Sequence, residues 1–415
     1  MQNASQKHLP FFAVIAFGLV SCVLYGVGAG LRSDIGILLN PLASSSGLSY
    51  DDVSFCIAVM QIVFGASQPL FGLLAAKKSN RFVLIAGAAL LAGGLFGMMK
   101  AQSFAALLFF LGFIFGLGVG ALAFGLILTS AIYFVGRHNA MLVSGMLNAA
   151  AGLIGFVLAP LLQALLDTGG LTLALSFLAV LSVVLAPVAI FVTSRDPAPQ
   201  KNASKAESLP AFSGAELLRE ALANRTYRLL LAGFSTCGFH MVIIESHLFS
   251  QFVLYGLSED LVSWAFSMYG IATIAGALLS GFLSTRVDKA RLLAFLYGFR
   301  AVWVAAYLLL MPKTFLTAVI FAAGLGATGD ATVSPTSGLV SEHFRLEKIA
   351  TLIGVLFLVH QVGAFASAWL GGILRTATGG YGTIWAIDIG LCLAAAAASF
   401  AISYPNKTGG GRTSP

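Results

Sequence analysis

The stretch TSRDPAPQKNASKAESLPAFSGAELLREALANRTYR, residues 193–228, is the only long polar run in the chain. An apolar block of comparable length lies on each side of it. Its proline and serine content is typical of a flexible tether, and SGAELLREAL (213–222) predicts a short amphipathic helix at a membrane face. The chain is therefore organised as two apolar halves joined by a polar linker.

The composition of the two halves excludes a water-soluble domain. The 415 residues are 58% hydrophobic and 9% charged, and the mean hydropathy is +0.93. Soluble domains carry about 25% charged residues, and apolar runs of about 20 residues indicate membrane-spanning helices. The sequence predicts an all-α, multi-pass membrane protein. Its first apolar run lacks a small-residue cleavage pattern and is expected to be a retained helix.

Charged residues and glycine- or proline-rich breaks divide the chain into twelve predicted spans. They are 11–39, 52–76, 82–101, 104–134, 139–166 and 171–193 in the first half, and 228–255, 261–285, 291–311, 314–341, 349–375 and 382–403 in the second. The first is too long for a simple crossing, and its glycine-rich, charged middle, YGVGAGLRSDIG (25–36), predicts a kink or break. The predicted domains are a bundle at 1–193, a linker at 194–227, a bundle at 228–403 and a tail at 404–415.

Basic residues predict the orientation of the chain. Eighteen of the 23 lysines and arginines fall in the tails and loops on the side shared by both termini, and the other five are Arg32, Lys100, Arg300, Lys313 and Arg375. The positive-inside rule then predicts that both termini and the linker are cytoplasmic, most simply in a bacterial inner membrane. The net charge of +7 is explained in this way, without a nucleic-acid partner.

The two halves contain an internal sequence repeat. GLLAAKKSNR (72–81) after the second span matches GFLSTRVDKAR (281–291) after the eighth, at a separation of 209 residues. Arg137 and Gly145, which open the fifth span, recur as Arg345 and Gly354 at the eleventh. Six spans repeated across a polar linker are the pattern of a transporter built from two six-helix bundles.

These features resemble the major facilitator superfamily over essentially the whole chain. The loop motif of that family is roughly G-x-L-a-D-r-x-G-r-R, and the matching residues here are Gly72, Leu74, Ala75, Lys77 and Arg81, then Gly281, Leu283 and Arg286 in the second copy. Ala76 and Thr285 stand where the family usually has aspartate. The resemblance therefore implies the fold but not the acidic loop gate of the family.

Shorter stretches resemble the prokaryotic monocarboxylate-transporter-like branch, which includes the oxalate:formate antiporters. They are GLRSDIGILLNPL (30–42), QIVFGASQPLFG (61–72), YGFRA (297–301), SPTSGLV (334–340) and HQVGA (360–364). The resemblance implies organic-anion transport, with Arg32 at the position of a first-span cation implicated in anion binding. The aspartate and arginine that mammalian members carry on the eighth span have no counterpart in YGIATIAGALLSG (269–281), so that proton-coupling pair is not carried over.

Ionisable side chains inside the spans are the first candidate site residues, because each is costly in hydrocarbon. Arg32 interrupts a glycine-rich span and could bind a substrate carboxylate with two hydrogen bonds. Alternatively, it reaches to the interface or pairs with Asp34. A contact between Arg32 and Glu245, on the repeat-equivalent seventh span, would close an outer gate. Asp34 and Glu245 are also candidate proton sites.

Four more ionisable residues are predicted near the midplane. A rise of 1.5 Å per residue places Arg300 roughly 16 Å and Asp330 roughly 18 Å from the cytoplasmic edge, on consecutive antiparallel helices. Their predicted ion pair is either a structural clamp or, with Asp330 as a gate or proton site, part of the substrate site. His240 and His360 lie near roughly 18 Å, where each could orient a carboxylate and exchange a proton, or simply bond a neighbouring helix.

Uncharged polar side chains complete the predicted site. Gln61, Asn148 and Gln361 are expected to face the cavity, although hydrogen bonding between helices would also explain them. The four cysteines have no metal-ligand spacing and are expected to be small core residues. No cofactor is predicted, apart from a coupling proton that the sequence leaves open.

The predicted function is secondary active transport of a small organic anion, in particular a monocarboxylate, by alternating access. A carboxylate in a low-dielectric cavity needs a countercharge, which Arg32 offers. The alternative in the same fold is an exporter of drugs or amphipathic compounds, which the phenylalanine-rich spans permit. A sensor is disfavoured by the short tails, and an enzyme by the absence of nucleophile–base, metal or phosphate-loop spacing. The expected partners are the substrate and the bilayer, and the expected state is a monomer.

Overall fold

The computed structural model describes residues 10–197 and 214–403, and every span in these ranges is helical. Spans 1 to 6 are Phe11–Ser33 (continued by Ile35–Leu38 and Leu39–Ser46), Tyr50–Lys77, Asn80–Met98, Phe104–Gly136, 137–169 and 171–192. Spans 7 to 12 are Arg225–Leu254, Glu259–Leu283, Lys289–Leu310, Phe315–His343, Leu346–Thr378 and Gly382–Ser403. The described part of the linker contains a helix at Gly214–Ala223, as predicted.

The number of crossings follows from length and backbone geometry. Eleven helices of the described residues are long and apolar enough to cross a membrane, and one of them, Leu142–Val192, has 51 residues. At 1.5 Å per residue it would be about 76 Å long, more than twice the thickness of a bilayer core. It is interrupted at Gly170, whose φ of 66° favours glycine. It therefore supplies two spans, and the predicted twelve-span fold is confirmed.

The outer surface of the helices is apolar. Phe12, Leu309 and Leu310 are each 81% exposed, far more than a large apolar side chain of a soluble protein would be without a partner. In a membrane these side chains face lipid, and the helices satisfy their own backbone hydrogen bonds. Cys56, Cys237 and Cys392 are buried and Cys22 is half-buried, which confirms that they are small core residues.

Local sequence explains where several spans begin. Ser49 forms a capping box with Asp52 before span 2, and Thr314 forms one with Thr317 before span 10. Asn224 caps span 7 by accepting a hydrogen bond from the Tyr227 amide at 3.1 Å. These side chains satisfy amide groups that have no partner inside the helix.

Four spans are broken, in two repeat-related pairs. Span 1 leaves the α-helix at Asp34, within the predicted segment 25–36, and span 7 contains a π-helical turn at Ile244–Leu248. Span 4 breaks between Ala121 and Phe124, and span 10 breaks at Gly329 before a short 3-10 turn. Broken helices near the middle of the membrane are where two-bundle transporters bring backbone and polar groups together.

The two halves touch on the side opposite the linker, called the far side below. Phe55 on span 2 packs against Phe365 and Trp369 on span 11, with ring centroids 6.1 and 5.7 Å apart. Gln163 at the far end of span 5 donates a 3.0 Å hydrogen bond to Glu259 at the start of span 8. Deeper in the membrane, spans 5 and 8 cross at Gly152 and Gly270. The far side of the protein is therefore closed.

We expect the crossing of spans 5 and 8 to depend on its glycines. A Cβ on Gly152 would lie 2.4 Å from the Gly270 carbonyl oxygen, so Gly152→Ala must push the spans apart at a cost of about 1–3 kcal/mol. The measurement is the labelling rate, by a hydrophilic maleimide, of a cysteine at the nearby buried Ser267, after the four native cysteines are replaced. Gly152→Ala should accelerate the labelling.

The matched control for this prediction is Gly145→Ala on the same span. A Cβ at Gly145 meets no atom within 4 Å, so labelling should stay at the parental rate. Equal labelling in the two variants would contradict the view that the glycine crossing holds the far side closed.

Candidate functional site

A charged pair joins the two halves at the breaks in spans 1 and 7. The Arg32 guanidinium donates two hydrogen bonds to the Glu245 carboxylate, Nη1 to Oε2 at 2.7 Å and Nη2 to Oε1 at 3.0 Å. The Arg32 side chain is 16% exposed and the Glu245 side chain only 1%. The predicted contact between Arg32 and Glu245 is present, and the alternative pairing of Arg32 with Asp34 is not formed.

The local backbone explains why these two side chains meet. Arg32 lies in the last turn of Phe11–Ser33, directly before the break, and Glu245 lies in the π-helical turn of span 7. A Cβ on Gly36 would lie 2.4 Å from the Glu245 carbonyl oxygen, so only glycine permits this close approach. The two broken helices therefore pack backbone to backbone at the site.

Gln61 on span 2 completes the contact. Its Oε1 accepts a 3.1 Å hydrogen bond from Arg32 Nη1, and its Nε2 donates to Glu245 Oε2 at 3.4 Å. Gln61 is fully buried, and that it faces a substrate cavity stays a prediction. The guanidinium also lies 5.2 Å from the ring centroid of Phe64, one turn further along span 2. Arg32 is therefore flanked by the planar Glu245 carboxylate, which accepts its hydrogen bonds, and by the aromatic ring of Phe64.

Other ionisable groups surround this pair. Asp330 is within electrostatic range of Arg32 and His360, and Glu245 is within range of His360 and Asp330. The Tyr25 and Tyr269 hydroxyls are within range of Arg32 and Asp330. We call Tyr25, Arg32, Gln61, Glu245, Tyr269, Asp330 and His360 the central site. It draws side chains from both halves of the chain.

Several groups of the central site are free to bind a ligand. Tyr269 Oη and His360 Nδ1 are buried atoms without a hydrogen-bond partner among the described residues. Asp330 and the His360 side chain are half-buried, and Asp330 forms no ion pair within that part of the chain. Buried polar groups are normally satisfied, so unpaired ones call for an explanation such as a bound water or a ligand. The ring centroids of Phe234 and Phe357 lie 5.0 and 6.3 Å from the centroid of the His360 ring.

His240 is not part of the central site, contrary to the prediction. It is fully buried inside the second half, where Nδ1 lies 2.8 Å from Asp388 Oδ2 on span 12. Its depth along span 7 was predicted from residue counting, which does not indicate the direction of a side chain. His240 and Asp388 form a fully buried pair within the second half.

The predicted ion pair between Arg300 and Asp330 is also not formed. The fully buried Arg300 guanidinium donates instead to the carbonyl oxygens of Thr328 and Gly329, the latter at 2.8 Å. These carbonyls are freed by the break in span 10, and the guanidinium can bind both with one nitrogen. Arg300 Nε and Nη1 have no partner among the described residues, and the binding of substrate by Arg300 stays a prediction.

The remaining predicted residues lie at the edge of the site. Asp34 is 3% exposed, and its Oδ2 has no partner among the described residues. Gln361 lies at the contact of spans 11 and 2, where a Cβ on Gly65 would be 2.4 Å from its Cγ. Asn148 is on span 5, but its side chain lies outside the described part of the structure. Tyr25 and Tyr269 belong to the central site, and Phe64 packs against its Arg32. Sequence reasoning missed all three, because aromatic residues are common throughout membrane spans.

A second group of side chains closes the far side. Tyr50 Oη lies 2.8 Å from His247 Nδ1 and 2.9 Å from Tyr381 Oη, and His247 Nε2 lies 2.9 Å from the Ala368 carbonyl oxygen. A carbonyl only accepts, so Nε2 carries the proton and Nδ1 accepts from Tyr50 in the neutral ring. This group links span 2 of the first half to spans 7 and 11 of the second.

On the linker side, a separate cavity of about 660 Å³ lies between spans 2 and 4 and the chain after span 6. It does not include the central site. Asp196 at its edge accepts a 2.7 Å hydrogen bond from Ser130, and burial raises the pKa of its carboxyl against the opposing effects of Ser130, Asn80 and Arg81. Asp196 is thus an acid within electrostatic range of Arg81 in the basic loop 72–81. In that loop Ala76 stands where the loop motif has aspartate.

Comparison with known proteins identifies relatives for the whole chain. The family model of the Major Facilitator Superfamily matches residues 18–257 and 248–414. An uncharacterized MFS-type transporter of Bacillus subtilis is 24% identical over 388 residues, covering 90% of this chain and 91% of that protein. Monocarboxylate transporter 12-B of Danio rerio is 24% identical over 342 residues, covering 75% and 71%.

Solved structures show the same fold. A nucleoside transporter superposes with a TM-score of 0.75 at 14% identity, covering 94% of this chain and 99% of that structure. A D-xylose-proton symporter superposes with a TM-score of 0.73 at 14% identity, covering 94% and 98%. At this identity the likeness concerns the arrangement of helices and not the ligand.

We expect Arg32 and Glu245 to be strongly coupled in stability. Removing one partner of a buried pair leaves an uncompensated charge, so Glu245→Ala should destabilise the protein by about 3–5 kcal/mol. The double variant R32A/E245A should recover much of that loss, which a double-mutant cycle of unfolding in detergent measures. Additive effects would contradict the coupling. The exposed pair Lys289–Glu342, with side chains 26% and 50% exposed, is the control and should couple by about 0–1 kcal/mol.

Proposed function

The chain belongs to the Major Facilitator Superfamily, and on this premise we propose that it is a secondary active transporter of a small monocarboxylate, carried together with a proton. Membership of the family makes it a multi-pass membrane transporter and not an enzyme. The observation that carries the substrate class is the two-hydrogen-bond contact of Arg32 with the Glu245 carboxylate. A second support is the relative from Danio rerio that is named a monocarboxylate transporter.

Glu245 occupies the place that a substrate carboxylate would take. A guanidinium binds any carboxylate with the same planar pair of hydrogen bonds. The Glu245 carboxylate is held by Arg32 and Gln61, and the polar groups of Tyr269 and His360 that lack partners lie around it. A small monocarboxylate entering from the partly exposed face of Arg32 would compete with Glu245 for the same donors.

The exchange of partners explains proton coupling. A displaced Glu245 carboxylate would be a buried charge without a counterion, which is strongly unfavourable. If Glu245 takes up a proton as the substrate binds, the site keeps the same total charge before and after loading. One proton therefore moves with each monocarboxylate, and the cycle is electroneutral. His360 and Tyr269 orient the substrate by hydrogen bonds.

The same exchange supports alternating access. Arg32 and Glu245 join spans 1 and 7 across the two halves, so loading the site from the linker side breaks one of the contacts that close the far side. In this proposal the linker side is cytoplasmic, the linker at 194–227 connects two moving bundles, and the protein acts as a monomer in a bacterial inner membrane. The proton is the only cofactor.

One observation favours a second candidate, the export of cationic amphipathic compounds. Asp330 is a half-buried acid without an ion-pair partner among the described residues, and the aromatic residues Tyr25 and Tyr269 are within electrostatic range of it. An acid with aromatic walls suits an organic cation. In this case transport would depend on Asp330 and would tolerate the loss of Arg32.

The test is uptake of radiolabelled lactate or pyruvate into proteoliposomes under an imposed inward proton gradient, with the membrane potential clamped. Arg32→Ala should reduce uptake at least about tenfold, because a hydrogen bond to a charged group contributes about 1.5–3 kcal/mol. Glu245→Gln should still exchange labelled for unlabelled substrate. An imposed proton gradient should no longer increase its uptake. The surface variant Lys289→Ala is the control and should transport normally.

Two outcomes would overturn the proposal. Normal uptake by Arg32→Ala would remove Arg32 from the substrate site. Efflux of an organic cation that depends on Asp330 and ignores Arg32 would favour the second candidate instead.

A further inference from the structure

The break in span 10 is held by a buried arginine from span 9. The helix Phe315–Thr328 ends at Gly329, and the chain then forms the 3-10 turn Asp330–Thr332 before the helix resumes. Carbonyl groups at such a helix end have no partner within the helix. Arg300 Nη2 binds the carbonyl oxygens of Thr328 and Gly329, at the residues that directly precede Asp330.

The first half provides an internal comparison for this arrangement. Spans 3 and 9 begin at Asn80 and Lys289, which are 209 residues apart, the same offset as between the two loop motifs. At that offset Leu91 corresponds to Arg300, and Ala121 corresponds to Asp330. Span 4 breaks directly after Ala121, so the fold can form this break with apolar residues alone. The arginine and the aspartate occur together, and only in the second half.

The surroundings of Arg300 are a buried layer of the second half. The side chain is fully buried and lies 5.3 Å from the Tyr297 ring, in electrostatic range of Cys237, Cys392 and His240. Asp388, paired with His240, supplies a negative charge in the same buried layer. Its charge is also in electrostatic range of Asp330, Tyr269 and His360, and its direct hydrogen bonds go to the backbone of span 10.

We propose that Arg300 is a positioning residue, which holds the broken turn of span 10 so that the Asp330 side chain enters the central site. Asp330 then lies within electrostatic range of Arg32 and His360, while the next residue, Ala331, is buried against spans 8 and 9. The proposal rests on the proposed function only in treating the central site as the substrate cavity. Arg300 sets the position of the Asp330 carboxylate. It thereby determines whether a substrate in the central site lies next to this negative charge.

The first test measures the position of residue 330 directly, without a substrate. In a background with the four native cysteines replaced, cysteine is introduced by Asp330→Cys or, as the matched control, by Ala331→Cys, which is 1% exposed. The probe is a hydrophilic maleimide applied to purified protein. With Arg300 present, residue 330 should react at least about tenfold faster than residue 331, because labelling a buried site requires local opening.

Variants at Arg300 decide the outcome. R300L, which introduces the residue found at Leu91, should remove most of the difference in labelling rate between the two positions. R300K, which keeps the charge but binds fewer carbonyls, should give an intermediate difference. R300Q keeps a neutral donor and replaces R300L if that variant does not remain monodisperse. Unchanged rates at both positions in R300L or R300Q would overturn the proposal.

The second test asks whether Arg300 acts through Asp330. The double variant R300L/D330A reproduces the pair Leu91 and Ala121, and its pH profile of lactate uptake in proteoliposomes is compared with that of D330A. Matching profiles support a positioning role, whereas a further change on adding R300L contradicts it. If the parental protein does not transport lactate, the proposed function fails, but the labelling result still decides the role of Arg300.

Discussion

The organisation of this protein depends on one buried ion pair, the contact of Arg32 with Glu245 between the two halves. Each residue lies where its span departs from the α-helix, and Gly36 allows the two backbones to approach closely enough for the contact. A buried pair is stable only while both charges remain compensated. If a ligand binds one member of the pair, the charge of the other must be compensated, and in the proposed function this requirement links substrate binding, proton uptake and the closure of the far side.

The broken helices show how a repeated sequence yields a site that is not symmetric. Both halves break their fourth span at the same offset, yet only the second half has an acid there and an arginine behind it. The first half instead contributes Arg32 from the end of a broken first span. The repeated backbone thus breaks a helix in each half. A few residue differences between the halves place the positive Arg32 at one break and the negative Asp330 at the other.

Much of the fold could be predicted from the sequence, whereas the site could be predicted only in part. Apolar runs, the repeat and the glycine-rich segment 25–36 predict twelve spans and a break, because length and composition determine both. The repeat makes span 7 the equivalent of span 1, which predicts the contact of Arg32 with Glu245 that the structure contains. Counting residues along a span predicts depth. It does not predict direction around a helix, and so His240 was assigned to the cavity although it faces Asp388. Likewise, Arg300 binds the carbonyls freed by a helix break that the sequence did not reveal, and Asp330 forms no ion pair with any residue that the structure describes.

The central claim is that a monocarboxylate replaces Glu245 on Arg32 while Glu245 binds a proton. Calorimetric titration of the purified protein with lactate, in two buffers of different ionisation enthalpy, counts the protons taken up per ligand bound. The account predicts an uptake of about one proton per lactate near neutral pH, and none in Glu245→Gln. Lactate binding without proton uptake, or an uptake that persists in Glu245→Gln, would contradict it.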